Sequence, residues 1–321
     1  MSSDQPKTAV FVIGAGRSGT STVARALQAV GVDLGDRFKK PSRKNPTGFF
    51  EDKALLAISK KARRVLGLRA DSVRLIGASA FECDEIQRLQ SEAVDVIRTR
   101  FAHSNFWGFK YGRTLRILPF WDRILDTTGH DPAYVIALRN PLSVARSRAK
   151  IDPRRGRQAA SDLEWLVSIV PFFRRIQGKR LAVIDYDDLM DDPTAELQRM
   201  VDQLQLPKAQ ASNSDIQAYV DRFLDTRLRH TRFDDHDLDN NAEINPTVKD
   251  AYRLLKTWTH AKSPEQIDQF WQAWADIDSR VDALSPILSL LDAKENDWRR
   301  AVTHPLGPLQ AWQLIKPWLK Q

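Results

Sequence analysis

Cysteine is almost absent. Cys83 is the single one in 321 residues. That excludes an internal disulfide and a cysteine-built metal cage, and it suits a reducing compartment. Long apolar runs are missing too. The longest stretches, near Leu163–Phe173, reach only about ten residues, short of a bilayer span. Residues Met1–Lys7 lack the apolar segment of a secretory signal. No His, Cys and carboxylate cluster has ligand spacing, so no bound metal is expected. These absences predict a soluble, cytoplasmic protein without a transmembrane segment. The net charge is +8, which favours anionic ligands. The basic residues are scattered among acids and no nucleic-acid motif occurs, so nucleic acid is not expected as a partner.

What is present alternates. Thr8–Ile13 is a short β-branched apolar run, read as a buried strand. A glycine-rich turn follows, then Val23, Leu27 and Val30 at helical spacing, ending at Gly31. Further helices are predicted over Ala54–Leu66, Glu82–Phe101, Leu115–Leu125 apart from Pro119, Pro141–Lys150, Ser161–Ile176 and Asp191–Leu204. Further strands are predicted over Phe106–Tyr111, Ala133–Leu138 and Arg180–Ile184. This order predicts an α/β fold, an open parallel sheet with helices on both faces. The chain reads as one domain, an α/β core over 8–206 and a mainly helical extension over 207–321. Within the extension Ala218–Leu228 reads helical and Phe233–Pro246 reads as a mobile loop. Trp258, Trp271, Trp274, Trp298, Trp312 and Trp318 are expected to pack a helical core.

The turn after the first strand reads Gly14-Ala-Gly-Arg-Ser-Gly-Thr-Ser21. Gly14, Gly19 and Ser21 have the spacing of the nucleotide-triphosphate loop G-x-x-x-x-G-K-[ST]. Thr20 stands in the lysine position, so the charge that reaches a γ-phosphate is missing, which weakens a P-loop kinase reading. Gly14, Gly16 and Gly19 also satisfy G-x-G-x-x-G. The acids that a dinucleotide site needs, Asp33 and Asp36, sit in a glycine-rich segment that makes a poor strand. A third reading is a cradle for a smaller anion, built from backbone N–H groups and a helix N-terminus. Thr20 and Ser21 then add hydroxyls, and Arg17 adds charge. The plain alternative is a glycine turn that serves only strand–helix packing.

A second candidate anion site lies at Val135–Ser147, "VIALRNPLSVARS". Arg139 ends a buried strand, at the edge where ligands of open α/β sheets bind. Ser147 lies about two turns into the next helix. An arginine with a serine hydroxyl suits a terminal phosphate. Together with the lysine-free loop it suggests a ligand with two separate phosphate groups.

At this point the chain resembles the PAPS-dependent sulfotransferases, whose cofactor is 3′-phosphoadenosine 5′-phosphosulfate. "GRSGTS" resembles their 5′-phosphosulfate loop, which implies Gly16, Arg17, Ser18, Gly19, Thr20 and Ser21 as cofactor-binding residues. "LRNPLSVARS" resembles their 3′-phosphate motif, which implies Arg139 and Ser147. "LAVIDYDDLMDDPTAEL" (Leu181–Leu197), "NPTGFFED" (Asn45–Asp52) and "WGFKYGRTLRILPFW" (Trp107–Trp121) resemble further landmarks. Arg17 stands where small-molecule members carry lysine; carbohydrate and tyrosyl members more often carry arginine. Lys110-Tyr-Gly-Arg113 replaces the Lys-Asp-Pro-Arg of related bacterial proteins.

The resemblance implies sulfuryl transfer to a carbohydrate, lipid or small-metabolite acceptor. Arg17 would steady the leaving phosphate and Glu51 would take the acceptor's proton. Asp52 is the alternative base, though it could instead cap the helix that follows. His230 is a more distant candidate. A non-catalytic nucleotide-binding module would keep the loop and lack a base. The basic loop Arg37–Lys44 could attract an anionic acceptor or simply form a solvated face.

Overall fold

The structure is a computed structural model that describes residues 7–41, 48–207, 213–224, 232–259, 263–302, 312–313 and 316. Four strands, β1 Thr8–Ile13, β2 Phe106–Lys110, β3 Asp131–Leu138 and β4 Arg180–Asp185, form one sheet in the order β2-β1-β3-β4. All pairings are parallel, with Val12 opposite Lys110 and Val135, and Leu138 opposite Asp185. Every strand therefore ends at the same edge. β1 has a neighbour on each side, so the chain leaves it in opposite directions and opens a crevice there.

Residues alternate between two apolar clusters, one on each face. Phe11, Trp107, Phe109, Tyr134 and Val183 join the larger cluster. Val10, Val12, Val135 and Ile184 join the smaller one. This is the period-2 alternation of strands buried on both sides. On the smaller side lie α1 (Thr20–Ala29) and α8 (Pro193–Leu204), joined by Tyr219 from a short π-helical turn after α9 (Asn213–Ala218). On the larger side lie α2 (Lys53–Val65), α3 (Asp84–Arg100), α4 (Leu118–Thr128) and α6 (Gln158–Ile169). Helices α11 (Pro246–Trp258) and α12 (Pro264–Ala283) share that core. Phe173 meets Trp274 with ring centroids 4.2 Å apart.

Several expected boundaries move for local reasons. Pro119 does not interrupt its segment: it occupies the first turn of α4, where its missing N–H costs nothing. The predicted helix Ser161–Ile176 stops as α6 at Ile169, ahead of Pro171, and Phe172, with φ 60°, leads into a 3-10 turn over Phe173–Ile176. The helix expected over Asp191–Leu204 is α8, which starts at Pro193 with Asp192 as its cap, and an unexpected short α7 (Tyr186–Asp191) precedes it. The segment Phe233–Pro246, read as a mobile loop, contains α10 (Asp235–Asn240), fixed by a capping box between Asp234 and Asp237. Asn245 then caps α11. The expected helix Ala218–Leu228 is α-helical only at its start; its last residues lie outside the described ones.

Tryptophans Trp271 and Trp274 are buried and Trp258 packs against them, as expected. Trp298, on α13 (Ser285–Val302), and Trp312 are instead exposed, and Trp318 lies outside the described residues. Among the described residues no helix is long and apolar enough to cross a membrane.

Candidate active site

The loop Gly14–Gly19 joins β1 to α1. Gly14 has φ 150° and Gly19 has φ 90°. Gly19 has no room for a side chain: a Cβ there would stand 2.4 Å from the Tyr186 ring. Gly16 is open, its nearest neighbour being Arg148 at 4.0 Å. Ser18 is buried and closes the turn, its hydroxyl donating to the Ala15 carbonyl at 2.8 Å. α1 begins at the buried Thr20, with the half-buried Ser21 next to it, so the positive end of the helix dipole faces the loop. Arg17 has φ 79°, a left-handed conformation uncommon for a residue with a side chain. It leaves the Arg17 side chain exposed at the sheet edge.

Arg139 and Ser147 come from β3 and from α5 (Pro141–Ala149). The sequence reading placed them at a site separate from the loop. The structure brings the two together. Arg17 Nε donates to Ser147 Oγ at 3.1 Å, and Arg139 reaches the Arg17 carbonyl at 3.5 Å. The cause is strand order: β1 and β3 are neighbours, so residues following their ends are neighbours as well. Desolvation, followed by repulsion from Arg139, pushes the Arg17 guanidinium below its ordinary pKa.

Tyr186 completes this end of the site and was not singled out from sequence. Its ring lies 4.4 Å from the Arg139 guanidinium, a cation–π contact, and covers Gly19. The available signal was an aromatic residue directly after a buried strand, in Ile184-Asp-Tyr186. Arg148 supports the loop from below. It is buried, donates to the Gly16 carbonyl at 3.3 Å and to the Ser161 carbonyl at 2.6 Å.

Glu51 and Asp52 separate cleanly. Asp52 is buried at the start of α2, accepts from the Ala54 and Leu55 amides at 3.0 and 3.1 Å, and pairs with Arg100. Both of its oxygens are thus engaged in holding the helix. Glu51 faces a cleft of about 480 Å³. Lys110, from the end of β2, donates to Glu51 Oε1 at 2.9 Å, and Lys39 lies 3.7 Å from Oε2. Burial pushes the Lys110 ammonium below its ordinary pKa, while Glu51 pulls it back up. Arg113 borders the same cleft and also the crevice that contains Gly16, donating to the Ala70 carbonyl at 2.7 Å. His230 and residues 42–47 lie outside the described residues.

The arrangement is a glycine loop with two arginines and a hydroxyl at one edge, and a carboxylate in a cleft that shares Ala70 and Arg113 with the crevice at Gly16. Among the described residues no group of three or more His, Cys, Asp or Glu is placed to hold a metal ion.

Comparison with curated proteins gives no match. Among solved structures the chain is similar to the sulfotransferase domain of the Synechococcus PCC 7002 olefin synthase, at 19% identity and a TM-score of 0.41, covering 85% of this chain and 96% of that one. It is also similar to the sulfotransferase domain of the curacin biosynthetic pathway, at 16% identity and a TM-score of 0.43, covering 81% and 99%. A third is retinol dehydratase in complex with androsterone and the inactive cofactor PAP, at 15% identity and a TM-score of 0.35, covering 85% and 81%. The family model described as "Sulfotransferase family" matches residues 9–210, a span that contains the loop, both arginines and Glu51, and the chain belongs to that family.

Proposed function

We propose that this protein transfers a sulfuryl group from 3′-phosphoadenosine 5′-phosphosulfate to a hydroxyl or amine of an acceptor. The observation that carries the reading is the meeting of Arg17, Arg139 and Ser147 at one sheet edge, from segments far apart in sequence. The donor supplies an SO₃ unit on a phosphate leaving group. In the reaction the acceptor oxygen bonds to sulfur, the sulfur–oxygen bond to phosphate breaks with its electron pair on phosphate, and the acceptor loses one proton.

The residues fit a ligand with phosphate at two ends. Gly16, Gly19, Thr20 and Ser21 offer backbone and hydroxyl donors to the 5′ end, with Ser18 holding the loop closed. Gly16 leaves the space that a bound group needs, since a Cβ there would meet nothing closer than 4.0 Å. Arg139 and Ser147 take the 3′-phosphate, and Tyr186 steadies Arg139. Arg17 lies on the loop side and neutralises charge on the leaving phosphate; such fixed electrostatic stabilisation is the main resource for group transfer of this kind. Glu51 accepts the acceptor's proton, oriented by Lys110 and Lys39. Residues 8–206 carry these groups; of the described elements that follow, α11 and α12 pack into the larger core and Tyr219 into the smaller one.

Glu51→Gln tests the assignment. It keeps the shape of the carboxylate and removes the base. We expect unchanged affinity for 3′,5′-adenosine bisphosphate by calorimetry and a loss of sulfuryl transfer of about 10²-fold or more. Near-normal turnover of labelled donor by this variant contradicts the role given to Glu51.

A further inference from the structure

The cleft beside Glu51 is unusual in its charge. Its walls carry Lys39, Lys60, Arg63, Arg64, Arg69 and Arg113, against Glu51 as the one acid. Lys39 is paired with Glu51, and Arg69 with Asp71 and Asp292. Among the described residues Lys60, Arg63, Arg64 and Arg113 have no ion pair with a carboxylate.

Helix α2 supplies the densest part. Leu56, Lys60, Arg63, Arg64 and the following Gly67 repeat at helical spacing and all border the cleft. Lys60 and Arg64 stand four residues apart, where like charges destabilise a helix. Lys61, on another side of the helix, is offset by Glu92 at 3.2 Å. The cleft-facing charges have no such offset. Arg63 is the most costly: its side chain is 8% exposed and its partners are the Tyr111 hydroxyl at 2.7 Å and the Leu68 carbonyl at 3.2 Å. Both are neutral. A guanidinium withdrawn from water without a counter-charge is unfavourable. Arg113 and Arg116 deepen the positive field. Burial first, then repulsion from Arg63 and Arg113, pushes Arg116 down to about 10. Folding alone gains nothing from this arrangement; a negative ligand in the cleft would.

The cleft leads to the transfer site. Glu51 lines it, and Ala70 and Arg113 border both it and the crevice at Gly16. We propose that the acceptor is an organic oxyanion: a hydroxyl-bearing molecule whose own carboxylate, phosphate or sulfate ester docks on the Lys60, Arg63 and Arg64 face of α2 while its hydroxyl meets Glu51. This rests on the sulfuryl-transfer reading and adds the acceptor's chemical class to it.

The test uses the full chain saturated with 3′,5′-adenosine bisphosphate, so that an added anion cannot occupy the donor loop. Glucose, glucuronate, glucose 6-phosphate and glucose 6-sulfate are titrated by calorimetry at low salt. They share one scaffold and differ in the oxyanion. Because Arg63 is buried, its removal could unfold the protein; the variant used is therefore Lys60→Glu with Arg64→Glu, both exposed. The expected result is binding of at least one charged sugar and not of glucose, weakened about tenfold or more in the double variant, with the bisphosphate affinity unchanged. Which charged sugar binds identifies the oxyanion. Glucose binding as well as the charged sugars, binding of none, or equal affinity in the double variant overturns the proposal. Failure of the bisphosphate itself to bind the unaltered protein is a separate result, which overturns the donor-site reading.

Discussion

Glu51 and Asp52 are adjacent carboxylates with opposite duties, and the division depends on what reaches each. Asp52 receives two helix amides and Arg100, so it belongs to the framework. Glu51 receives Lys110 and faces the cleft. Sequence resemblance favoured Glu51 but could not separate the pair by chemistry, because Lys110 and Arg100 approach from remote elements. Tyr186 illustrates the same limit: nothing in its own segment shows that it stacks on Arg139. At this scale we expect Tyr186→Ala to weaken binding of 3′,5′-adenosine bisphosphate by roughly 3- to 30-fold, the range of a partly desolvated cation–π contact plus lost packing. Tyr186→Phe should bind nearly as the parent does, since the ring makes the contact. Calorimetric dissociation constants for both variants check this; equal losses in both would point to the hydroxyl instead.

The loop and α1 form the element on which the proposed donor site stands. Its glycines were read as an anion cradle, and the structure gives a physical reason for Gly19: φ 90° and the Tyr186 ring leave no room for a Cβ. Gly19→Ala is therefore expected to cost about 1–3 kcal/mol in strain and to weaken bisphosphate binding together with it. Chemical denaturation and calorimetry on the same sample measure both. A fully stable variant with normal affinity would show that the ring moves aside freely. Other elements were less legible where capping decides. α10 is a single acidic turn, and it forms because Asp234 and Asp237 cap it reciprocally, not because of any apolar period. The break after Ile169 has a local signal in Pro171, because the residue before a proline disfavours the helical conformation.

Across the whole molecule, two buried aspartates tie stability to pH. Asp162 accepts from the Asn245 amide at 2.7 Å, linking α6 to the start of α11, and Asp185 caps α7 at the end of β4. Burial pushes each from 3.8 up to about 6. The folded protein thus holds these protons more tightly than the unfolded chain. Their contribution is fully favourable below pH 3.8, is lost as pH rises through about 6, and then stays lost. Asp162→Asn and Asp185→Asn keep an acceptor and cannot ionise, so each should gain stability relative to the parent between pH 4 and pH 7, on the order of 2 kcal/mol. Urea unfolding across that range gives the difference. A variant-minus-parent difference independent of pH would show that the carboxyls titrate normally in the fold.

The sequence by itself determined the alternation of strands and helices, the glycine loop, and the presence of an arginine–serine segment after a later strand. These are local: they depend on side-chain period, on which residues tolerate a tight turn, and on spacing along one chain. The tertiary structure alone decided the contacts between remote segments. The order β2-β1-β3-β4 set Arg17 against Ser147, brought Lys110 to Glu51, and collected the unpaired cations of α2 into one cleft. Strand order is fixed by burying both faces of the sheet at once, an energy summed over the whole core, and no single stretch of residues contains it.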